Sequence, residues 1–303
     1  MEGIENDNDW TIRSLNIHGI FFQKLIASHI NKSRHAKLIS AEYPVEFPSG
    51  NRSNRGQESR LDIRARMQSN VNPPTSIDLL IECKKANPDF IDWIFFPRIE
   101  GLNQQDDISF LRAYFVQRDK WNVEYDLISR PFSGMITTAD DARETRGNYR
   151  DAAKSTKTKT SNAAISDAAY QIVLATHAIA EEDATITTKV YERTSIVFPT
   201  SIYLPMIVTT ANLFLCDFNP LDTAIETGEI PLSKASLRPV DRLFYEYPVP
   251  THLQVTPDEA FLSVNYLSSR ERYVRRYILI VNSKKFEETL DWLHNRSEYI
   301  VGG

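Results

Sequence analysis

Apolar positions along the chain fall into short alternating runs and a few stripes that step by three and four, the pattern of a sheet flanked by helices. Ile12, Leu15, Gly19, Phe22 and Ile26 follow the helical step and predict an amphipathic helix over 11–31. LISAEYPVEF (38–47) predicts a strand closed by Pro48-Ser49-Gly50. SRLDIRARM (59–67) alternates Leu61, Ile63 and Ala65 with Asp62, Arg64 and Arg66, the period of a half-buried strand. After the turn residues SNVNPPT, the run IDLLIEC (77–83) returns as the next strand. A helix followed by three strands predicts an antiparallel meander with the helix on one face.

Segment 86–135 is rich in aromatics, and DFIDWIFFP (89–97) and LRAYFVQRDKW (111–121) read as an irregular layer. Residues 140–162 are polar and basic, with KSTKTKTSN (154–162) a loop. Ile165, Ala168, Ala169, Ile172, Val173, Thr176, Ile179 and Ala180 fall on one stripe and predict a helix over 163–181. SIYLPMIVTTANLFLCDF (201–218) reads as two strands around Thr210-Ala211-Asn212, and 219–260 holds repeated prolines and few periodic runs. The chain closes with a strand (272–283) and a helix (284–294) capped by Asn282 or Ser283. With no internal repeat or linker, the expected architecture is a single α/β domain over 1–303. Its core spans about 11–96 and 163–218, with an insertion at about 97–162 and a C-terminal strand-helix extension at about 219–303.

Composition adds bounds rather than an identity. The 42% hydrophobic and 25% charged residues are those of a globular protein. The acidic, polar start MEGIENDNDW is unlike a secretory or transit peptide, and no apolar run approaches the roughly 18 residues that span a bilayer. Cys83 and Cys216 are too few for a disulfide framework, so the expected compartment is the reducing cytoplasm. A net charge of −5 does not advertise a nucleic-acid binder, yet positive residues cluster in 52–66, 143–159 and 270–285. Phosphate binding depends on local potential, although each cluster also reads as solvated surface.

The chemistry concentrates at Glu82-Cys83-Lys84, the end of an apolar strand. Alternation puts Glu82 and Lys84 on one face and Ile81 and Cys83 on the other. If 59–67 and 77–84 are neighbours, Asp62 approaches Glu82. Two adjacent carboxylates repel, and a divalent cation with a preference for oxygen ligands, Mg²⁺ or Mn²⁺, relieves the repulsion. A lysine beside such a site orients the attacking water and stabilises charge on a phosphate, which is metal-assisted phosphodiester hydrolysis. The competing reading of the same residues is a structural salt bridge.

An acid on one strand, Asp62, then nineteen intervening residues, then Glu82-Cys83-Lys84 on the next strand resembles the PD-(D/E)xK nuclease superfamily, the fold of restriction endonucleases and many DNA-repair nucleases. The order helix, strand, strand with Asp, strand with E-x-K, helix, strand is similar too. The resemblance implies a restriction-endonuclease-like core, a central mixed sheet flanked by helices, with insertions. It implies catalytic roles for Asp62, Glu82 and Lys84, with the metal held by Asp62, Glu82 and the main-chain carbonyl of Cys83. No proline precedes Asp62, and residues 11–31 lack the glutamate that many members place on the first helix; Gln23 or His18 stands there instead. Glu42 or Glu46 is a candidate third carboxylate, although Glu46 reads first as an exposed strand residue.

Some relatives place a glutamine on a later helix, which makes Gln171 a candidate accessory residue; its other reading is a helix–sheet hydrogen bond. Asp78 reads as a structural turn-end residue, His177 as a packing histidine, and Lys85 as a solvent-exposed end. Arg64 and Arg66 share the Asp62 face by alternation, and with Arg52, Arg55 and Arg60 they predict a basic rim for a phosphate backbone. Tyr149, Arg150 and Lys154 lie in a candidate flap. The expected activity is a metal-dependent nuclease acting on DNA, with RNA left open. The alternative is a catalytically inactive nucleic-acid- or protein-binding module of the same fold. No residue selects among restriction, repair and phage defence. No phosphate-binding G-x-x-x-x-G-K-[ST] loop is present, so an ATPase or methyltransferase partner would be a separate chain, and a homodimer is left open.

Overall fold

The alternating runs become strands of one mixed sheet, and the helical stripes cover its two faces. A computed structural model describes residues 7–17, 19–45, 59–68, 75–87, 90–98, 107–117, 121–131, 136–145, 163–195, 199–250 and 275–301. In chain order the helices are α1 (Asp7–Ile17), α2 (Ile20–Lys32), α3 (Ala163–Thr194), α4 (Phe286–His294) and α5 (Ser297–Val301). The strands are β1 (Ala36–Val45), β2 (Ser59–Gln68), β3 (Thr75–Lys84), β4 (Asp92–Pro97), β5 (Asp107–Gln117), β6 (Trp121–Pro131), β7 (Thr138–Thr145), β8 (Thr200–Thr209), β9 (Asn212–Phe218), β10 (Ala235–Val240), β11 (Arg242–Pro248) and β12 (Arg275–Asn282).

The order across the sheet is β1-β2-β3-β8-β12-β11-β7-β4-β9-β10, with β5 beside β8 and β6 beside β5. The expected meander is present: β1 and β3 each pair antiparallel with β2. After β3 the chain leaves, returns through α3, and enters β8 parallel to β3 over its whole length. β12 then runs parallel to β8 on its other side. The sheet is thus mixed, as expected for the α/β class. Strands from the expected insertion and from the C-terminal extension belong to this same sheet.

One apolar layer joins α3 (Ile165, Ile172, Val173, Ile179) to Leu61, Leu80 and Ile207. The other joins α2 and α4 (Ile26, Ile30, Phe286, Leu290) to Ile63, Ile81 and Val208. β3 is buried at every position from Thr75 to Glu82, which explains its unbroken apolar run.

Four expectations need correction. The helix over 11–31 is two helices, because Gly19 adopts φ +73°, a left-handed conformation that interrupts the ladder. Segment 89–121 is not irregular: β4 lies there, and β5 pairs with β6 along its whole length. Trp93, Ile94 and Phe95 are all buried, so no alternation shows. The helix after residue 163 continues to Thr194, beyond the end of its apolar stripe, because its second half is tied to the sheet by polar contacts. Tyr43 donates to Glu182, and Arg64 to Asp183. The start of α3 is held by Glu144 of β7, which accepts from the Ala164 amide at 2.7 Å and the Ile165 amide at 3.2 Å. Asn282 caps the short 3₁₀ turn Ser283–Lys285 that leads into α4, accepting from the Lys284 amide at 3.0 Å, whereas α4 itself starts after Lys285 without the expected side-chain cap.

Gly19→Ala forces a Cβ into a left-handed backbone and is expected to lower stability by about 1 kcal/mol. Urea denaturation of wild type and variant measures this; an unchanged midpoint would show that the break between α1 and α2 does not depend on glycine.

Candidate active site

Ile63 pairs with Ile81 and Arg64 with Leu80, so the register places Asp62 opposite Glu82 at the end of the β2–β3 ladder. Strand β2 changes faces at this point. Ile63, Ala65 and Met67 pack in the α2 layer, whereas Leu61 packs in the α3 layer. The expectation that Leu61 and Ile63 share a face is therefore wrong. On β1, Glu42 lies between the pairs Ala41–Ile63 and Tyr43–Leu61 and has φ +54°. Left-handed backbone at a non-glycine residue costs roughly 1–2 kcal/mol. The interruption of the pleat falls at Asp62 and Glu42.

The side chain of Asp62 closes the gap left by the ending ladder: its Oδ2 accepts from the Cys83 amide at 2.7 Å. From the α2 side, the buried Gln23 donates through Nε2 to the main-chain oxygen of Asp62 at 2.9 Å. Gln23 thus reaches the site through backbone rather than as a substitute carboxylate. Glu82 and Lys84 share the α3 face, as alternation requires. The Lys84 ammonium lies 2.8 Å from Glu82 Oε1 and donates to Gln171 Oε1 at 2.9 Å. Gln171 is therefore at the site, delivered by α3 across 87 residues of sequence. Strand β8 braces the end of β3: the Thr210 amide donates to the Lys84 carbonyl at 3.2 Å, and the Ala86 amide to Thr210 Oγ1 at 2.9 Å.

Electrostatics follow from this packing. Burial raises the Asp62 pKa, and Glu42 adds to the rise, against the Cys83 amide and Lys84. Glu82 is pushed up to about 7, first by burial and then by Asp62, with Lys84 acting against both. One ammonium faces two carboxylates, Glu82 buried and Asp62 half-buried.

Other predicted residues take different places. Arg64 is buried and bridged between Asp78 and Asp183, and Arg66 grips the same Asp78. Arg64 thus belongs to a buried ion-pair cluster rather than to the expected exposed basic rim. Asp78 is structural, yet it lies within β3 and not at a turn. Arg60 is exposed, 3.7 Å from Glu42. Lys85 donates to the Asn16 carbonyl at 2.8 Å. His177 packs as expected: burial and the Arg276 guanidinium, 3.3 Å away, lower its pKa to about 3. His18, Glu46, Arg52, Arg55, Tyr149, Arg150 and Lys154 lie outside the described residues.

Among the described residues no three His, Cys, Asp or Glu side chains converge as a ready metal cage. The donor set nonetheless fits Mg²⁺ or Mn²⁺, which bind through one or two carboxylates and keep other positions for water and phosphate. The half-buried Asp62 raises the pKa of the buried Glu82, and the Cys83 carbonyl is adjacent in sequence. The residues missed by sequence reasoning are Thr210, which braces Lys84, and Asp183, which ties α3 to β2. Both depend on pairings between distant segments, for which local periodicity carries no signal. No family model, curated protein or solved structure matches the chain.

The raised pKa of Glu82 has a signed consequence for stability. Between about 4.5 and about 7 the folded chain keeps a proton that the unfolded chain has lost. Its stabilising contribution is full below about 4.5 and is lost as pH rises through about 7. Glu82→Gln removes this dependence. Denaturation midpoints without divalent cations are expected to shift in favour of the variant between pH 5 and pH 8; a constant difference would contradict the placement of Glu82.

Proposed function

We propose that this chain is a metal-dependent phosphodiesterase, a nuclease of the PD-(D/E)xK kind that hydrolyses DNA. The observation that carries the reading is Lys84, pinned between Glu82 and Gln171 at the end of a buried strand and beside Asp62. A structural salt bridge needs neither the second carboxylate nor the glutamine from another element. The order α2-β1-β2-β3, followed after β4 to β7 by α3-β8, supports the same reading, as does the parallel entry of β8, which lets α3 present Gln171 over the end of β3.

Asp62, Glu82 and the Cys83 carbonyl would hold Mg²⁺ or Mn²⁺. When bound, the cation supplies Lewis-acid charge that offsets the two carboxylates and draws a phosphate to the site. The remaining work belongs to the chain. Glu82 and Gln171 fix the Lys84 ammonium in one direction and prevent it from turning away into solvent. Held there, the ammonium orients the attacking water and stabilises negative charge developing on the phosphate. Gln23 and the Cys83 amide fix Asp62 from the backbone and the side-chain end, so its carboxylate cannot rotate away. Arg60 is the exposed cation of the predicted rim that lies beside this group. No helix among the described residues is long and apolar enough to cross a membrane.

Cleavage of plasmid and single-stranded DNA with Mg²⁺, Mn²⁺ or EDTA tests the reading. Activity is expected with either cation, none with EDTA, and none for Asp62→Ala or Lys84→Ala. Gln171→Ala, which leaves Lys84 unguided on one side, should lose about 10- to 100-fold. Activity that survives both Asp62→Ala and Lys84→Ala would sink the mechanism, and cation-dependent DNA binding without cleavage by wild type would favour the inactive binding module.

A further inference from the structure

The loop 219–234 between β9 and β10 stands apart from the catalytic chemistry and is held by its own bonds. Asn219 accepts from the Leu221 amide at 3.1 Å, the Ala224 amide donates to the Glu229 carbonyl at 2.8 Å, and Gly228 donates to the Ala224 carbonyl at 2.8 Å. Lys234 reaches Asp222 at 3.6 Å. On this fixed frame Leu221, Ile225 and Leu232 are 90%, 97% and 96% exposed. Three large aliphatic side chains held in water by an ordered backbone mark an interaction surface rather than scattered surface apolar residues. Among the described residues the adjoining β10 ends the sheet and pairs only with β9, and its Leu237 is exposed as well.

Charge selects the occupant. Between 220 and 233 the tip carries Asp222, Glu226 and Glu229 and no cation. A nucleic-acid backbone or an anionic bilayer is repelled by such a surface. A complementary surface lies on the same chain. Ile12 and Leu15 on α1 and Phe21 and Leu25 on α2 are between 37% and 51% exposed. They are accompanied by exposed Arg13, Lys24 and Lys32, against Asp9. Phe21 and Leu25 lie one helical turn apart, on a different side of α2 from the buried Gln23, Ile26, Ala27 and Ile30.

We infer that the β9–β10 tip of one copy docks on the α1–α2 face of a second copy, head to tail, with aliphatic contact at the centre and Glu226 and Glu229 facing Lys24, Lys32 or Arg13. The two surfaces differ, so the contact is heterologous. Three aliphatic side chains cover less than the roughly 800 Å² that each partner buries in a stable interface, so the association is weak and concentration-dependent.

Sedimentation velocity from about 1 to about 200 μM, at low and high salt, provides the test. Wild type should gain mass with concentration, less so at high salt. A tip variant (Leu221→Ser, Ile225→Ser, Leu232→Ser) and a face variant (Phe21→Ser, Leu25→Ser) should each associate at least tenfold more weakly. Lys24→Glu, which leaves the apolar residues in place, should weaken association in the same direction if the face variant folds poorly. An equimolar mixture of the tip variant with either face variant leaves one intact tip and one intact face, and should recover a dimer but nothing larger. Wild type that stays monomeric throughout, or a tip variant that associates like wild type, overturns the inference. A mixture that fails to recover the dimer, although each variant alone is defective, overturns the head-to-tail contact in favour of a symmetric one in which each copy must supply both surfaces.

Discussion

The half-buried Asp62 and the buried Glu82 are forced to face each other at the end of the β2–β3 ladder, with the Lys84 ammonium beside them. That repulsion is the constraint around which this part of the molecule is arranged. Both carboxylates remain raised in pKa although each has a group that acts against the rise: the Cys83 amide for Asp62, and the Lys84 ammonium for both. A protein that needed only stability here would be better served by apolar residues of similar size, since buried ionic groups rarely stabilise a fold over such replacements.

The rest of the architecture keeps this pair from relaxing. Strand β8 lies parallel to β3 for ten residues and ties its end through Thr210. Helix α3 is anchored at its start by Glu144 and in its second half by Asp183, so that Gln171 between them is set at a fixed height over Lys84. The Arg64–Asp78–Asp183 cluster is itself buried, and loss of one member of such a cluster leaves an uncompensated charge that costs about 3–5 kcal/mol. Tyr203, which donates to Asp183 at 2.9 Å, adds a contact from β8. The ion pairs sit on the same face as the Glu82–Lys84 pair and tie α3 to the sheet.

Much of the site was legible because period-two alternation is local. It placed Glu82 and Lys84 together and put Cys83 on the opposite face, and the neighbouring run brought Asp62 to them. Gln171 was visible only through the family resemblance, since its partner lies far away in sequence. Three features left no local trace. The change of face at Asp62 depends on a left-handed Glu42 in the neighbouring strand, and alternation alone put Leu61 and Ile63 on one side. Arg64 looked like a solvated cation until Asp183, a residue of the polar half of α3, closed over it. The strands β4 and β5 carry apolar residues on both faces, which erases the alternation that would have announced them.

Cation binding separates the central claim from every other account of these residues. Titration of wild type with Mn²⁺, followed by the loss of the free-ion electron paramagnetic resonance signal, should show a bound ion at pH 8. Asp62→Ala should bind at least tenfold more weakly, whereas Lys84→Ala, which removes a cation from beside the site, should bind as tightly as wild type or more tightly. Equal Mn²⁺ uptake by wild type and Asp62→Ala would contradict the assignment of the paired carboxylates to a metal.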